Sequence, residues 1–256
     1  MDLFLIKVLL SFVIGGLYVP FALWISEKFG SKVGGIIVTL PSTFLISFLF
    51  IAWTQDQNAA VASLPIVPLV LAIDSLFIVV FVLLQTRGTA KALLGATLFW
   101  AFASLPLVLL HFNNMALSLL LAIPVFAIAL NYLNRIPHKK VEFSHQKLKT
   151  LLFRGTLCGT VIATAVLLGK QLGPLWGGLF GNFPAAISSS LFLLSKTHDE
   201  KFAAAFGRAA VYGIIANTSF SISLYLGVPP YGIIIGTVAA YLVAVAAGAI
   251  TYKIAK

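Results

Sequence analysis

The chain has 256 residues, of which 60% are hydrophobic and 9% are charged, and its formal net charge is +10. A water-soluble domain has no interior large enough to hold so much apolar surface, so the composition excludes a soluble globular protein. The single cysteine excludes an internal disulfide and a four-cysteine metal site. We predict neither a bound metal nor a cofactor.

Apolar runs recur along the whole chain, each about as long as the 20 residues that a helix needs to cross a bilayer. They predict an all-α, multi-pass membrane protein. The first run lacks a basic leader and a small-residue cleavage site, so we expect it to be retained as a span. The nine predicted spans are residues 3–25, 30–53, 60–85, 89–110, 113–133, 150–169, 173–195, 202–226 and 230–252.

The lysines and arginines predict how these spans are oriented. With nine spans, all of them except Lys7 and Lys170 fall on or near one face, and short loops rich in these residues stay cytoplasmic. The N-terminus is therefore predicted outside and the C-terminus in the cytoplasm, in the cell (inner) membrane. The basic residues are expected to contact anionic headgroups of the lipid bilayer and not nucleic acid.

The chain also repeats itself at a distance of 143 residues. The aligned pairs include Gly16 with Gly159, Gly34 with Gly177, Pro41 with Pro184, Ser47 with Ser190, and Asp74 with Asn217. Each copy holds four spans and the fifth span is unmatched, so the second copy is predicted to be inverted relative to the first. The predicted units are the first repeat (1–112), a linker helix with a basic loop (113–149) and the second repeat (150–256). Inverted repeats are typical of secondary transporters.

Two of the repeated segments resemble a known family. GGIIVTLPSTFLISF and GGLFGNFPAAISSSLF are similar to the glycine-then-FPT segment of GlpM-like proteins, which are small bacterial inner-membrane proteins. The resemblance covers the second and third spans of each half. It implies that the chain is a fused, inverted pair of such units, and it names no substrate.

The repeated prolines predict interrupted helices. Proline removes an amide donor, and a broken helix is tolerated in a membrane only where it is buried in protein or faces a cavity. Thr39 and Asn182, two positions before the prolines, are predicted to N-cap the restarting helices. The restarted ends are expected to meet near the midplane and bind a solute, the alternative being a simple kink. The predicted binding residues at the breaks are Thr39, Pro41, Ser42, Thr43, Asn182, Pro184 and Ser188.

Asp74 lies near the middle of the third predicted span. An acid at that depth is expensive to bury and is a functional hypothesis by default, so we predict that it carries the coupling proton or sodium ion. The alternative is a permanently protonated acid bonded to a neighbouring helix. Its repeat partner Asn217, with Thr218 beside it, is predicted to join the site. The tryptophans, including Trp100, are predicted to anchor at the membrane interfaces.

These features predict a secondary active transporter that moves a small solute with H⁺ or Na⁺ coupling. The helix dipoles favour an organic or phosphorylated anion, and no P-loop motif is present for ATP. Two other readings stay open: a channel or lipid-translocating protein, and an accessory subunit of envelope polymer export. An enzyme is not predicted, because one deep carboxylate and scattered loop histidines form no catalytic set.

Overall fold

A computed structural model describes residues 2–28, 41–136, 148–197 and 200–255 of the chain. In this part the regular structure is helical, and no residue lies in a β-strand. The helices are α1 (Leu3–Lys28), α2 (Ser42–Thr54), α3 (Gln57–Ala62), α4 (Val67–Leu84), α5 (Thr89–Leu109), α6 (Met115–Asn134), α7 (Leu148–Gln171), α8 (Pro174–Gly181), α9 (Ala185–Thr197) and α10 (Glu200–Ala255). A 3₁₀ turn, Gln85–Arg87, joins α4 to the turn before α5.

Seven helical stretches among the described residues are long and apolar enough to cross a membrane. Their number and hydropathy agree with a multi-pass helical membrane protein. The Ala204–Thr251 stretch counts as one of the seven although it is 48 residues long. Helix α2 is apolar but shorter, and the residues that precede it, 29–40, lie outside the described part.

The third predicted span, 60–85, begins too early. The structure ends α3 at Ala62 and starts α4 at Val67, with a turn between them in which Val67 N donates to Leu64 O at 3.0 Å. Pro65 and Pro68 account for the difference, because a proline has no amide donor and is favoured only near the start of a helix. The apolar run hid this interruption.

Helix α10 folds back on itself. Gly232 has φ 78° and ψ 169°, a conformation that only glycine adopts easily, and it follows Pro229 and Pro230. Past the bend, a Cβ added to Gly236 would lie 2.8 Å from the Cα of Val228. The helix therefore consists of a first arm (200–231) and a second arm (233–255) that pack together.

Helices α1 and α7 pack through glycines. A Cβ added to Gly159 would lie 2.5 Å from the carbonyl oxygen of Phe12 and 3.3 Å from the Cα of Gly16. One added to Gly155 would meet the Gly16 carbonyl, and Pro20 at 2.9 Å. The earlier residue of α7 contacts the later residues of α1, so α1 and α7 are antiparallel.

Helix α4 lies at the centre of the fold. Its stretch Val67–Arg87 is 78% buried, the largest share among the long apolar helices of the described residues. Helices α5, α6 and α10 pack around it. Any polar side chain in the middle of α4 is therefore enclosed by protein.

Candidate functional site

The second proline-containing segment is interrupted. Helix α8 ends at Gly181 and α9 begins at Ala185, immediately after Pro184. The Pro184 carbonyl accepts the first helical hydrogen bond of α9, from Ser188 N at 2.7 Å. The Ser188 hydroxyl, which is buried, donates to the same carbonyl at 2.7 Å. Proline is tolerated here because this position needs no amide donor.

The first segment restarts in the same way. Helix α2 begins at Ser42, and the Pro41 carbonyl accepts from Leu45 N at 2.9 Å. Ser42 and Thr43 are half-buried in the first turn. Thr39 and the preceding glycine pair lie outside the described residues. Each proline therefore occupies the N-cap position of the helix that follows it.

The predicted N-cap role of Asn182 is wrong. Its side-chain amide donates to the carbonyl of Gly178 at 2.8 Å, so it caps the C-terminal end of α8. The N-cap position of α9 belongs to Pro184. Three residues separate the two helices, which leaves Asn182 attached to the helix before the break. The residue is buried, so its amide stabilises the interruption from within the protein.

The two proline-containing segments touch. A Cβ added to Gly181, at the end of α8, would lie 3.0 Å from the Cβ of Ser47 and 3.8 Å from the ring of Phe44, both in α2. One turn earlier in α8, a Cβ added to Gly177 would lie 2.8 Å from Ile51 of α2. The later residue of α8 contacts the earlier residues of α2, so the two helices are antiparallel. The second break therefore lies against the first turns of α2.

Asp74 lies in the middle of α4 and is 2% exposed. The indole Nε1 of Trp100, from α5, donates to Asp74 Oδ1 at 2.7 Å. A bond this short to a buried carboxyl fixes the side chain firmly.

Trp100 connects this acid to the break. Its ring packs edge-on against Phe183 with centroids 5.0 Å apart, and against Phe180 at 6.3 Å. Trp100 itself is 4% exposed. Its predicted interfacial role is wrong, because the side chain points into the core. Trp100 lies well inside the fourth predicted span, 89–110, and this position could have indicated a buried side chain.

Arg154 is a second residue that the sequence did not single out. It is 4% exposed in α7, and its guanidinium donates to the hydroxyl of Ser190 at 2.6 Å and to the carbonyl of Ala186 at 3.5 Å. Both partners lie in the first turns of α9. A permanent positive charge is thus held beside the second break. Because Arg154 was counted among the basic residues of one membrane face, its buried position beside the break was not predicted.

Asn217 and Thr218 lie in the first arm of α10. The Oδ1 atom of Asn217 is buried without a hydrogen-bond partner, and the Thr218 hydroxyl donates to the Ile214 carbonyl at 3.2 Å. One turn on, Phe220 packs edge-on against Phe44 at 5.9 Å. The arm that carries Asn217 therefore reaches the start of α2, as α5 reaches the second break through Trp100.

Comparison with known proteins adds one match. Residues 8–129 match the model of a family described as Protein of unknown function (DUF3147). The matched range runs from α1 into α6 and ends before the central basic loop. No curated protein matches the chain, and no solved structure matches it. The resemblance to GlpM-like proteins stays a prediction.

Proposed function

We propose that the protein is a secondary active transporter that moves a small anion across the inner membrane with H⁺ or Na⁺ coupling. In this proposal it has nine spans, arranged as two inverted halves (1–112 and 150–256) joined by a linker (113–149). The N-terminus is outside and the C-terminus is cytoplasmic. Asp74 carries the coupling ion, and the solute binds where the two breaks meet.

The observation that carries the proposal is the chain of contacts from Asp74 through Trp100 to Phe183. An acid that gains or loses an ion changes how strongly it holds its hydrogen-bond donor. Because that donor belongs to the indole packed against the break, the change is passed to the residues between α8 and α9. A coupled transporter needs such a link, since an ion shifts a conformational equilibrium only through differential contacts with the two states.

The inverted arrangement is supported by the packing of α1 and α7, the first helices of the two halves. Adding 143 to residue 12 gives 155, and subtracting 143 from 159 gives 16. The contact between Phe12 and Gly159 is therefore exchanged with the contact between Gly16 and Gly155, and both occur. Two antiparallel copies related by a two-fold axis in the membrane plane would produce this exchange.

The surroundings of the second break support an anionic solute. The N-terminal end of α9 carries the partial positive charge of a helix start, and Arg154 adds a full positive charge beside it. Asn217 Oδ1 and the serine hydroxyls of α9 offer only neutral groups. This balance favours a small organic or phosphorylated anion over a cation as the transported solute.

The test is solid-supported-membrane electrophysiology on reconstituted protein with a panel of small anions, comparing wild type with Asp74→Asn. We expect substrate-evoked currents that Asp74→Asn abolishes. Asp2→Asn is the matched control, because this exposed aspartate accepts a hydrogen bond from Phe4 N at the start of α1 and asparagine accepts it equally well. Full gradient-driven accumulation in Asp74→Asn would contradict the role of Asp74. Large ohmic currents or lipid scrambling would indicate a channel or lipid-translocating protein instead.

A further inference from the structure

Three consecutive residues where α2 gives way to α3 form a segment that we call the glutamine strap: Gln55, Asp56 and the first residue of α3, Gln57. With its amide oriented so that both atoms are satisfied, Gln55 donates to Gly169 O and accepts from Lys170 N, each at 3.3 Å. Both partners are backbone atoms near the end of α7. The first contact of the strap therefore joins the first half of the chain to the second.

Gln57 makes the second contact. Its Nε2 donates to the carbonyl of Val228 at 3.3 Å, just before the bend of α10. Asp56 lies between the two glutamines and accepts from Ala59 N at 2.8 Å, which fixes the direction in which the strap leaves α2. Gln55 thus bonds to α7 and Gln57 to α10, which are two different helices of the second half.

The strap lies at the end of the molecule that carries the N-terminus. Lys7, near the start of α1, donates to the carbonyl of Trp53 at 2.9 Å, two residues before the strap. Its ammonium also lies 4.9 Å from the centre of the Trp53 ring. In the orientation proposed above, this end of the molecule faces the outside.

A cavity of about 250 Å³ opens beside the strap. Its wall includes Gln57, Asn58, Asn113, Tyr225 and Pro229, and none of the described residues that line it is charged. Amide and phenol groups offer both donors and acceptors, so the cavity suits a small hydrated solute.

Beyond the strap, the turn between α3 and α4 packs tightly against α8. Gly178 of α8 packs directly against the carbonyl of Ser63, and a Cβ added to it would lie 3.1 Å from Ile66. The break at residues 182–184 lies one turn farther along the chain. The cavity, which Pro65 of the same turn lines, is therefore bounded by residues that pack against the helix leading to the second break.

We infer that the glutamine strap is the outer gate of the transport route and that the cavity beside it is the outer vestibule for a small hydrated solute. This inference rests on the proposed function. The strap bonds cross between the two halves, so they must separate when the halves rock open toward the outside. They are neutral and long, which makes them weak enough to break and re-form in each cycle.

Removing the strap bonds should favour the outward-open state. A neutral hydrogen bond of ordinary net strength shifts an equilibrium by about three- to tenfold. We therefore expect Gln55→Ala and Gln57→Ala each to raise the outward-open population about threefold or more, and the double variant to exceed both.

The experiment measures thiol accessibility from the outside. In a Cys158→Ser background, which removes the single native cysteine, the reporter is Ser47→Cys, at the meeting point of the two segments and fully buried in this structure. A membrane-impermeant methanethiosulfonate is added to right-side-out vesicles. Gln171→Ala, which removes an exposed glutamine at the end of α7, is the matched control.

The expected result is faster labelling of the reporter in the order control, single variants, double variant. The single variants keep the test valid if the double variant does not fold. Labelling rates equal to the control in every strap variant would overturn the gate, as would faster labelling only in inverted vesicles. Transport currents that depend on Asp74 would survive either result, so failure of the gate and failure of the proposed function are distinguishable.

Discussion

Replacing Gly159 by alanine should separate α1 from α7. The added Cβ would lie 2.5 Å from the Phe12 carbonyl oxygen and 3.3 Å from the Gly16 Cα. Both neighbours are backbone atoms and have no rotamer with which to yield. Carbon and carbonyl oxygen approach to about 3.3 Å at closest, so the helices must move apart by roughly 0.8 Å.

The energetic result follows from two opposing effects. Overpacking of this kind costs about 1–3 kcal/mol, and the better helix propensity of alanine returns up to about 1 kcal/mol. We expect Gly159→Ala to lower the free energy of unfolding by about 1–2 kcal/mol. Close approach of backbones is also the main attraction between helices in lipid, and this substitution removes it.

Gly95→Ala is the matched control. Its added Cβ would also meet an atom at 2.5 Å, but that atom is Cδ1 of Leu84, the free end of a flexible side chain, and the next atom is 4.0 Å away. We expect this variant to be unchanged or up to about 1 kcal/mol more stable. Unfolding in mixed detergent micelles, followed by circular dichroism, measures both. If Gly159→Ala is as stable as Gly95→Ala, the close packing of α1 and α7 is refuted.

Three further substitutions test the site. Trp100→Phe removes the donor to Asp74, so thermal unfolding should show a loss of about 1–3 kcal/mol, whereas Asp74→Asn keeps an acceptor and should stay stable. Asn182→Asp removes the donor to Gly178 and should destabilise by about 1–3 kcal/mol; unchanged stability would instead indicate an N-cap, which aspartate serves well. Arg154→Gln should raise the anion concentration for half-maximal current at least about tenfold, and an unchanged value would remove Arg154 from anion recognition.

The sequence predicted well those elements that are bounded by strong local signals. The predicted spans 89–110 and 113–133 correspond closely to α5 (Thr89–Leu109) and α6 (Met115–Asn134). A glycine of positive φ precedes α5, and the side chain of Asn114 caps α6 by accepting from Leu117 N at 2.9 Å. Such signals act within one turn and are legible without the rest of the fold.

The sequence failed where the decisive contact is distant. Trp100 and Asp74 are 26 positions apart, and Arg154 and Ser190 are 36 positions apart. In a span that is apolar all round, no periodicity shows which face is turned inward. Tryptophan is then predicted at the interface and arginine in the loops, because most of these residues lie there in membrane proteins. Only the packing of α4 against α5, and of α7 against α9, reveals their roles.

The meeting of the two proline-containing segments is the central claim, and a cysteine pair tests it most directly. In the Cys158→Ser background, Ser47→Cys with Gly181→Cys places two thiols at positions whose Cβ atoms lie about 3 Å apart, close to the 3.5–4.5 Å of a disulfide. Ser47→Cys with Ser118→Cys, a buried residue that bonds to Leu69 at the start of α4, is the control pair. We predict rapid, reductant-sensitive cross-linking of the first pair in native membranes and none of the second. Failure of the first pair to cross-link, in protein that is folded and fully oxidised, would contradict the account.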